Sequence, residues 1–316
     1  MDTIVVENLV KRYKKSEKLA VDNISFKVKQ GEFFAFLGPN GAGKTTTISI
    51  LTTTLSKTAG TVKIAGFDSD KDSSKIRQNV GIIFQKPSID LNLSAEENMR
   101  FHAILYGLYP FAPSFKLMNK SYQDKVMELA NIVGINNELF QQVKTFSGGM
   151  TRKLEIIRSL MHSPQILFLD EPTVGLDPEN RKNLWSYLQE VRKKANLTIF
   201  LTTHYLEEVE DADHVCIINK GKIIVDGTPL EIKKNIAKEY IILSALPNDF
   251  STLIEEVKLS KYQFELENNT IKVYVDSDKD SQNFIKQLHT SLTKLDIKKA
   301  SLEDAYIEII HETLDI

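Results

Sequence analysis

One cysteine, Cys216, stands among 316 residues, which leaves no disulfide framework and fits a reducing compartment. Metal-ligating side chains are equally sparse around it. His214 and Cys216 alternate in the apolar run "DADHVCIINK" with no further ligands beside them, so the segment reads as a strand carrying a buried thiol. Neither sign of charge prevails. The chain has 40 Lys and Arg against 42 Asp and Glu, a formal charge of −2, so it carries no electrostatic footprint for nucleic acid and none is expected as a partner. Long apolar runs are missing too. The longest, such as "FFAFL" and "ILFL", fall far short of a bilayer span, and the charged start "MDTIVVENLVKRYKK" lacks the apolar centre of a signal peptide. The expectation is a chain that does not cross a membrane by itself. Its length allows one large domain plus a small one.

Short β-rich apolar runs alternate with helical patterns. "EFFAFLG" precedes "KTTTISIL", "QILFLD" precedes "NRKNLWSYLQEV", and "LTIFLTT" precedes "HYLEEVEDA". Apolar strands followed by helices predict an α/β domain with a mostly parallel sheet. A polar, helical stretch from about 93 to 149 interrupts the alternation. "INKGKIIVDGTP" predicts a hairpin through Lys220 and Gly221, followed by a helix capped by Thr228, Pro229 and Glu231. Beyond residue 238 the pattern changes. "YIILSAL", "QFELE" and "IKVYVD" read as strands, and "FSTLIEEV" and "DSQNFIKQLHTSL" as helices, a βαββαβ appendix ending in the helix "SLEDAYIEII". The expected domains are therefore 1–238 and an α+β unit, 239–316.

"GPNGAGKT", Gly38 to Thr45, lies between the strand "EFFAFL" and a helix and fits G-x-x-x-x-G-K-[ST]. Its glycines let backbone N–H groups wrap phosphates, Lys44 reaches the β/γ oxygens, and Thr45 offers a hydroxyl to Mg²⁺. "ILFLDEP" ends an apolar strand in Asp170 and Glu171, at the end where α/β folds place their chemistry. Asp170 suits holding Mg²⁺, and Glu171 suits orienting and polarising an attacking water. His204 ends another strand, where a γ-phosphate contact is credible. In "TFSGGMTRKLEIIRSL", Ser147 fits an N-cap, while Met150, Leu154, Ile157 and Met161 recur at helical spacing. A cap needs one polar residue; Gly148 and Gly149 in addition leave the helix N-terminus open to close approach by an anion.

Together these segments resemble the nucleotide-binding domain of the ATP-binding cassette (ABC) family over roughly residues 3–238. The matching parts are "GPNGAGKTT", Gln85 after "VGIIF", "FSGGM", "ILFLDEP", "TVGLD" and His204, in family order. The resemblance implies a P-loop NTPase cassette with a parallel-sheet core, an antiparallel β part and a helical subdomain at about 93–149. It implies ATP and Mg²⁺ as ligands and ATP hydrolysis as the activity. Tyr13 is then expected to stack on adenine. Gly38, Pro39, Asn40, Gly41, Ala42, Gly43, Lys44, Thr45 and Thr46 form the phosphate cradle. Thr45, Gln85 and Asp170 are expected near Mg²⁺, and Glu171, His204 and Lys44 carry catalysis. Ser147, Gly148 and Gly149 are expected to face the γ-phosphate held by a second cassette, with Asp177 reaching across the same interface.

Three positions depart from the commonest family pattern: Phe146 for leucine, Met150 for glutamine and Val174 for serine. Ser147 and both glycines remain. "KPSIDLNLSAEENMRFHAILYGL", "FSGGM" and "SLEDAYIEI" further resemble the ATPase subunits of bacterial drug and antibiotic exporters of the daunorubicin-resistance type. That likeness implies a separately encoded membrane-spanning permease, a second cassette that is either the same chain or a paralogue, and a place on the cytoplasmic face of the membrane. The alternative, a soluble ABC ATPase acting on ribosomes or nucleic acid, is opposed by the single phosphate loop, the lack of sustained heptads and the balanced charge.

Overall fold

The computed structural model describes residues 1–14, 16–236, 239–299 and 301–314. The chain divides into two compact units, Met1–Asp226 and Gly227–Ile316. The domain boundary expected after residue 238 falls on residues outside the described set.

In the first unit the elements run β1 (Asp2–Arg12), β2 (Leu19–Lys29), β3 (Phe33–Leu37), α1 (Lys44–Leu51), β4 (Ala59–Ile64), β5 (Phe67–Asp68), α2 (Ser73–Asn79) and β6 (Val80–Ile83). There follow α3 (Ala95–Leu105), α4 (Lys120–Val133), α5 (Gly148–Leu160), β7 (Ile166–Asp170), α6 (Pro178–Ala195), β8 (Thr198–Thr203), β9 (His214–Asn219) and β10 (Lys222–Gly227). Two sheets form. One has the order β10-β9-β3-β8-β7-β6, and its β9/β3, β3/β8, β8/β7 and β7/β6 pairs are parallel. The other, β2-β1-β4-β5, is antiparallel.

The residue patterns explain this division. β3, β7 and β8 are buried at every position, as strands covered on both faces must be. From Ile24 to Lys29, β2 alternates buried and exposed, because only one of its faces meets the core. Phe26 of β2 stacks on Phe34 of β3 at 5.4 Å between ring centroids, and Phe34 on Phe200 of β8 at 5.2 Å. One apolar core therefore joins the two sheets and fixes where the parallel strands end. Between β9 and β10, Lys220 and Gly221 take φ of 48° and 83°, the two-residue hairpin turn that matches strand twist.

The interrupting stretch is helical. α3 starts with a reciprocal capping box between Ser94 and Glu97, and α4 with an Asn119 side chain accepting from the Tyr122 N–H at 3.0 Å. The two helices are joined by the Tyr122 hydroxyl, which donates to Glu96 at 2.9 Å, while Arg100 lies 3.2 Å from the same carboxylate. One expectation needs correction. "HYLEEVEDA" does not make a helix after β8; only a single 3-10 turn forms at Leu206–Glu208. The Glu208 carboxylate instead turns inward and accepts from Thr173 and Thr203, so tertiary hydrogen bonds override the local helical pattern.

The second unit begins with α7 (Pro229–Ile236), for which Thr228 and Glu231 form a capping box. It continues β11 (Glu239–Ala245), α8 (Phe250–Leu259), β12 (Phe264–Glu267), β13 (Thr270–Val275), α9 (Asp278–Ile285), β14 (Leu292–Lys298) and α10 (Leu302–Leu314). The βαββαβ order makes an antiparallel sheet β12-β13-β11-β14. Ile241, Leu243, Ile271 and Val273 of that sheet pack with Leu253 and Val257 of α8 and with Phe284 of α9.

Candidate functional site

Three neighbouring strands, β3, β8 and β7, deliver three groups to one end of the parallel sheet. The loop 38–43 leaves β3, Asp170 closes β7 with Glu171 directly after it, and His204 follows β8. The C-terminal edge of such a sheet is where helix N-termini and strand ends meet. A cavity of about 550 Å³ lies there. Among its lining residues are Asn40, Gly41, Gly43, Lys44, Thr45, Thr46, Gln85, Glu171 and His204. Nine candidates scattered over more than 160 positions thus face one space.

The cradle is shaped by close backbone approach. Gly43 has φ +112°, and a Cβ placed on it would come 2.5 Å from the Ala20 carbonyl oxygen, so no other residue fits without distortion. Lys44, at 4 % exposure, threads back through the loop and donates from Nζ to the Gly38 carbonyl at 2.7 Å and the Pro39 carbonyl at 3.2 Å. Ala42 is buried and its carbonyl accepts from the Gly221 N–H at 2.9 Å, which ties the loop to the β9–β10 turn. α1 then opens with Lys44, Thr45 and Thr46, which line the cavity, and no side chain caps its N-terminus. Tyr13 does not line the cavity; it is 44 % exposed, and its hydroxyl lies 3.2 Å from the Oγ1 of Thr46, which does.

Opposite the cradle stand the carboxylates. Glu171 is 8 % exposed, and its Oε1 lies 3.4 Å from Lys44 Nζ. The Gln85 amide donates to Glu171 Oε2 at 3.1 Å. His204 Nδ1 is 3.4 Å from Glu171 Oε1, is buried, and has no hydrogen bond of good geometry. Glu171 holds φ +47°, a left-handed conformation that costs a non-glycine residue roughly 1–2 kcal/mol. Its N–H donates to the Thr202 carbonyl at 2.9 Å, which pins that conformation. The Asp170 carboxylate accepts from the Thr202 hydroxyl and, at 3.4 Å, from the Thr45 hydroxyl. Burial pushes the Asp170 pKa up, and the Thr202 hydrogen bond works against that push.

The donor set fits an anionic phosphate chain with a divalent cation. A buried ammonium, a helix start without a side-chain cap and an imidazole nitrogen without a hydrogen-bond partner belong to residues that line the cavity on one side. A hydroxyl and a buried carboxylate adjoin on the other, an all-oxygen pair of the kind Mg²⁺ prefers.

A second cluster surrounds the start of α5. The Ser147 side chain accepts from the Met150 N–H at 3.2 Å, as a cap should. A Cβ on Gly148 would meet nothing within 4 Å, whereas one on Gly149 would come 2.7 Å from the Asn180 side-chain oxygen. Asn180 belongs to α6, whose N-cap Asp177 accepts from the Asn180 N–H at 2.9 Å. These hydrogen bonds from Asn180 hold the Asp177 carboxyl below its usual pKa. Ser147, Gly148, Gly149 and Asp177 do not line the cavity. Along α5, Leu154, Ile157 and the C-cap Met161 are buried as expected, while Met150 is only half-buried.

Sequence reasoning missed two residues that shape the site. Thr202 orients Asp170 and Glu171 together, and only its place in the polar end of "LTIFLTTH" hints at this. Arg152 lies inside α5 at 5 % exposure, donating to the Pro172 carbonyl, the Phe84 carbonyl and Glu155 at 2.7 Å each. An arginine and a glutamate three residues apart, Arg152 and Glu155, flanking Leu154 on the apolar side of α5, were the available signal.

The ABC transporter family model matches residues 21–174. The linearmycin resistance ATP-binding protein LnrL of Bacillus subtilis is 30 % identical over 317 residues, covering 98 % of both chains. The bacitracin transport ATP-binding protein BcrA of Bacillus licheniformis is 33 % identical over 317 residues with the same coverage. A solved dimeric structure of MJ0796, a bacterial ABC transporter cassette, superposes with a TM-score of 0.63 at 25 % identity, covering 71 % of this chain and 98 % of that one. With the phosphate loop, the paired carboxylates and full-length relatives in agreement, the chain belongs to the ABC transporter family, as one of its ATP-binding, ATP-hydrolysing subunits.

Proposed function

We propose that this chain powers export of an antibiotic-like compound through a separate membrane-spanning permease, working as an ATP-bridged pair of cassettes at the cytoplasmic face of the membrane. Full-length likeness to LnrL and BcrA supports the antibiotic part, since their names give linearmycin resistance and bacitracin transport. A separate permease fits the absence, among the described residues, of any helix long and apolar enough to cross a bilayer.

The convergence of Lys44, Glu171, Gln85 and His204 on one cavity carries the catalytic reading. Loop N–H groups from Gly38 to Gly43 and the start of α1 hold the phosphates, and Tyr13 stacks on the base. Lys44 leaves its carbonyl partners to neutralise the terminal phosphate. Glu171 accepts a hydrogen bond from water, aims it at the terminal phosphorus and takes up its proton as the P–O bond to the departing ADP breaks. Gln85 and His204 orient the same water and phosphate from either side of Glu171. Mg²⁺, when bound by Thr45 and Asp170 with Gln85 nearby, neutralises charge on the phosphates.

Ser147, Gly148, Gly149 and Asp177 lie outside this cavity, which supports a role toward a phosphate held by a partner cassette, and the similar MJ0796 cassette has a dimeric solved structure. ATP then joins Lys44 of one molecule to the α5 start of the other, and hydrolysis dissolves the joint. Glu171→Gln is expected to abolish steady turnover while trapping an ATP-dependent dimer visible by size exclusion. Normal turnover by that variant rejects the role of Glu171. Affinity capture from solubilised membranes is expected to recover a polytopic protein; ribosomes alone in that fraction reject the transport reading.

A further inference from the structure

We infer that the buried Arg152–Glu155 pair is a positioning device that couples the two nucleotide sites of the ATP-bridged dimer; this rests on the reading of Ser147 given above. Ser147 caps α5, and Arg152 sits one and a half turns further along the same rigid helix. Its guanidinium does not pair with Glu155 alone. Nε donates to the Pro172 carbonyl and Nη1 to the Phe84 carbonyl, each at 2.7 Å. Pro172 directly follows the catalytic Glu171, and Phe84 directly precedes Gln85. Glu155 in turn accepts from the Ser88 N–H at 2.9 Å, and Arg158 donates to the Ser88 carbonyl at 2.7 Å. Charged side chains of α5 therefore hold both ends of the 84–88 segment and the residue after Glu171. Gln85 closes the circuit by its 3.1 Å contact with Glu171.

A stabilising role alone does not account for the pair. Replacing a buried ion pair with apolar residues of similar volume is often neutral or favourable, and α5 already buries Leu154, Ile156, Ile157 and Leu160. What an apolar pair cannot do is fix two backbone carbonyls in register with one helix. Arginine does so through its planar fork, which a lysine ammonium cannot span. The N-terminus of α5 meets the partner's ATP, while Gln85 and Glu171 serve this chain's own ATP. A shift of α5 toward the partner's phosphate therefore re-aims this chain's catalytic carboxylate. Occupancy of one site is read by the other, which is positive coupling through a packed element.

The test compares the full-length wild type with the double variant Arg152→Met/Glu155→Met and with Arg152→Lys. Turnover is followed against ATP concentration, alongside melting temperature and ATP affinity measured under dilution. The double variant is expected to bind ATP like the wild type and to melt a few degrees lower at most, since the Pro172 and Phe84 carbonyls lose their donor. Its turnover falls by on the order of tenfold to a hundredfold, as for a misaimed catalytic group. The Hill slope falls from above one to one. Arg152→Lys lands between, because its ammonium reaches one carbonyl at a time. Unchanged turnover and slope in the double variant, or a wild-type slope already at one, overturns the coupling. Joint loss of melting temperature, ATP affinity and turnover assigns the pair a merely structural role and overturns it too. If Glu171→Gln forms no ATP-dependent dimer, the dimer reading itself falls and takes the coupling with it; an intact dimer with an unaltered double variant removes the coupling alone.

Discussion

The two units fold by the same means but differ in the charge they bury. Among the described residues, the second unit buries one polar side chain, Ser281, beneath its four-stranded sheet. The first unit buries Lys44, Glu96, Arg100, Arg152, Glu155, Asp170, Glu171 and Glu208. Taking an ion out of water costs several kcal/mol unless partners compensate it. The second unit shows that a sheet and its helices close without that cost, so folding alone does not call for the charges of the first. Most of them stand at the strand ends or on α5, within hydrogen-bond reach of the loops that carry Gln85 and Glu171. Glu96 and Arg100 are the exception: they serve the α3–α4 contact through Tyr122.

The sharpest way to break the comparison is to remove a buried charge and find stability lost instead of chemistry. Lys44→Ala is expected to lower turnover by about 10²–10³-fold, the cost of one well-placed electrostatic donor. Circular dichroism should report an intact fold; turnover close to wild type breaks the assignment of Lys44. In the second unit the balance reverses. Phe284, fully buried against Tyr262, is expected to cost about 3–5 kcal/mol of that unit's stability when cut to alanine. ATP affinity of the first unit should hold, and a parallel fall in affinity breaks the separation of roles. Thr202→Val keeps the shape of β8 and removes the hydroxyl that restrains Asp170. The Mg²⁺ concentration for half-maximal turnover should rise by about 10–100-fold, the usual reach of a group that orients a metal ligand.

How legible each part was depends on how far its partners lie along the chain. The phosphate loop is contiguous, so Gly38 to Thr46 could be read at once as a turn between a strand and a helix, which is where the structure puts them. Asp170, Glu171 and His204 were legible because an apolar strand announces its own polar end. The βαββαβ order of the second unit followed from periodicity alone. Thr202 and Arg152 escaped because their meaning lies in hydrogen bonds spanning 32 and 68 positions. The segment "HYLEEVEDA" misled for the same reason: its pattern is helical, yet Thr173, 35 positions before Glu208, draws that carboxylate inward. Local pattern sets elements, while distant polar partners decide where a loop stops being one.

The smallest expected effect concerns two half-buried histidines that take no part in the proposed hydrolysis. His102 of α3 places Nε2 3.5 Å from Nδ1 of His162, and the far nitrogen of His162 lies 3.0 Å from the Val80 carbonyl. That carbonyl can only accept, so His162 carries its proton on Nε2 and offers Nδ1 as an acceptor to His102. Burial, followed by the Arg158 charge and His162, pushes the His102 pKa down to about 3. Burial lowers that of His162 as well. Both imidazoles therefore stay neutral in the folded chain at a pH where unfolded histidines, titrating near 6.5, take up protons. The unfolded state binds more protons between those values, so stability is complete above about pH 6.5 and falls as pH drops toward 3. His102 contributes at most about 1.4 kcal/mol per pH unit to that fall. His102→Phe is expected to flatten the loss of urea midpoint between pH 7 and pH 5 while leaving turnover at pH 7.5 within about twofold. A variant as acid-sensitive as the wild type means that His102 already titrates normally, and that the burial of a titratable group has been misjudged at a position where no catalytic role confuses the measurement.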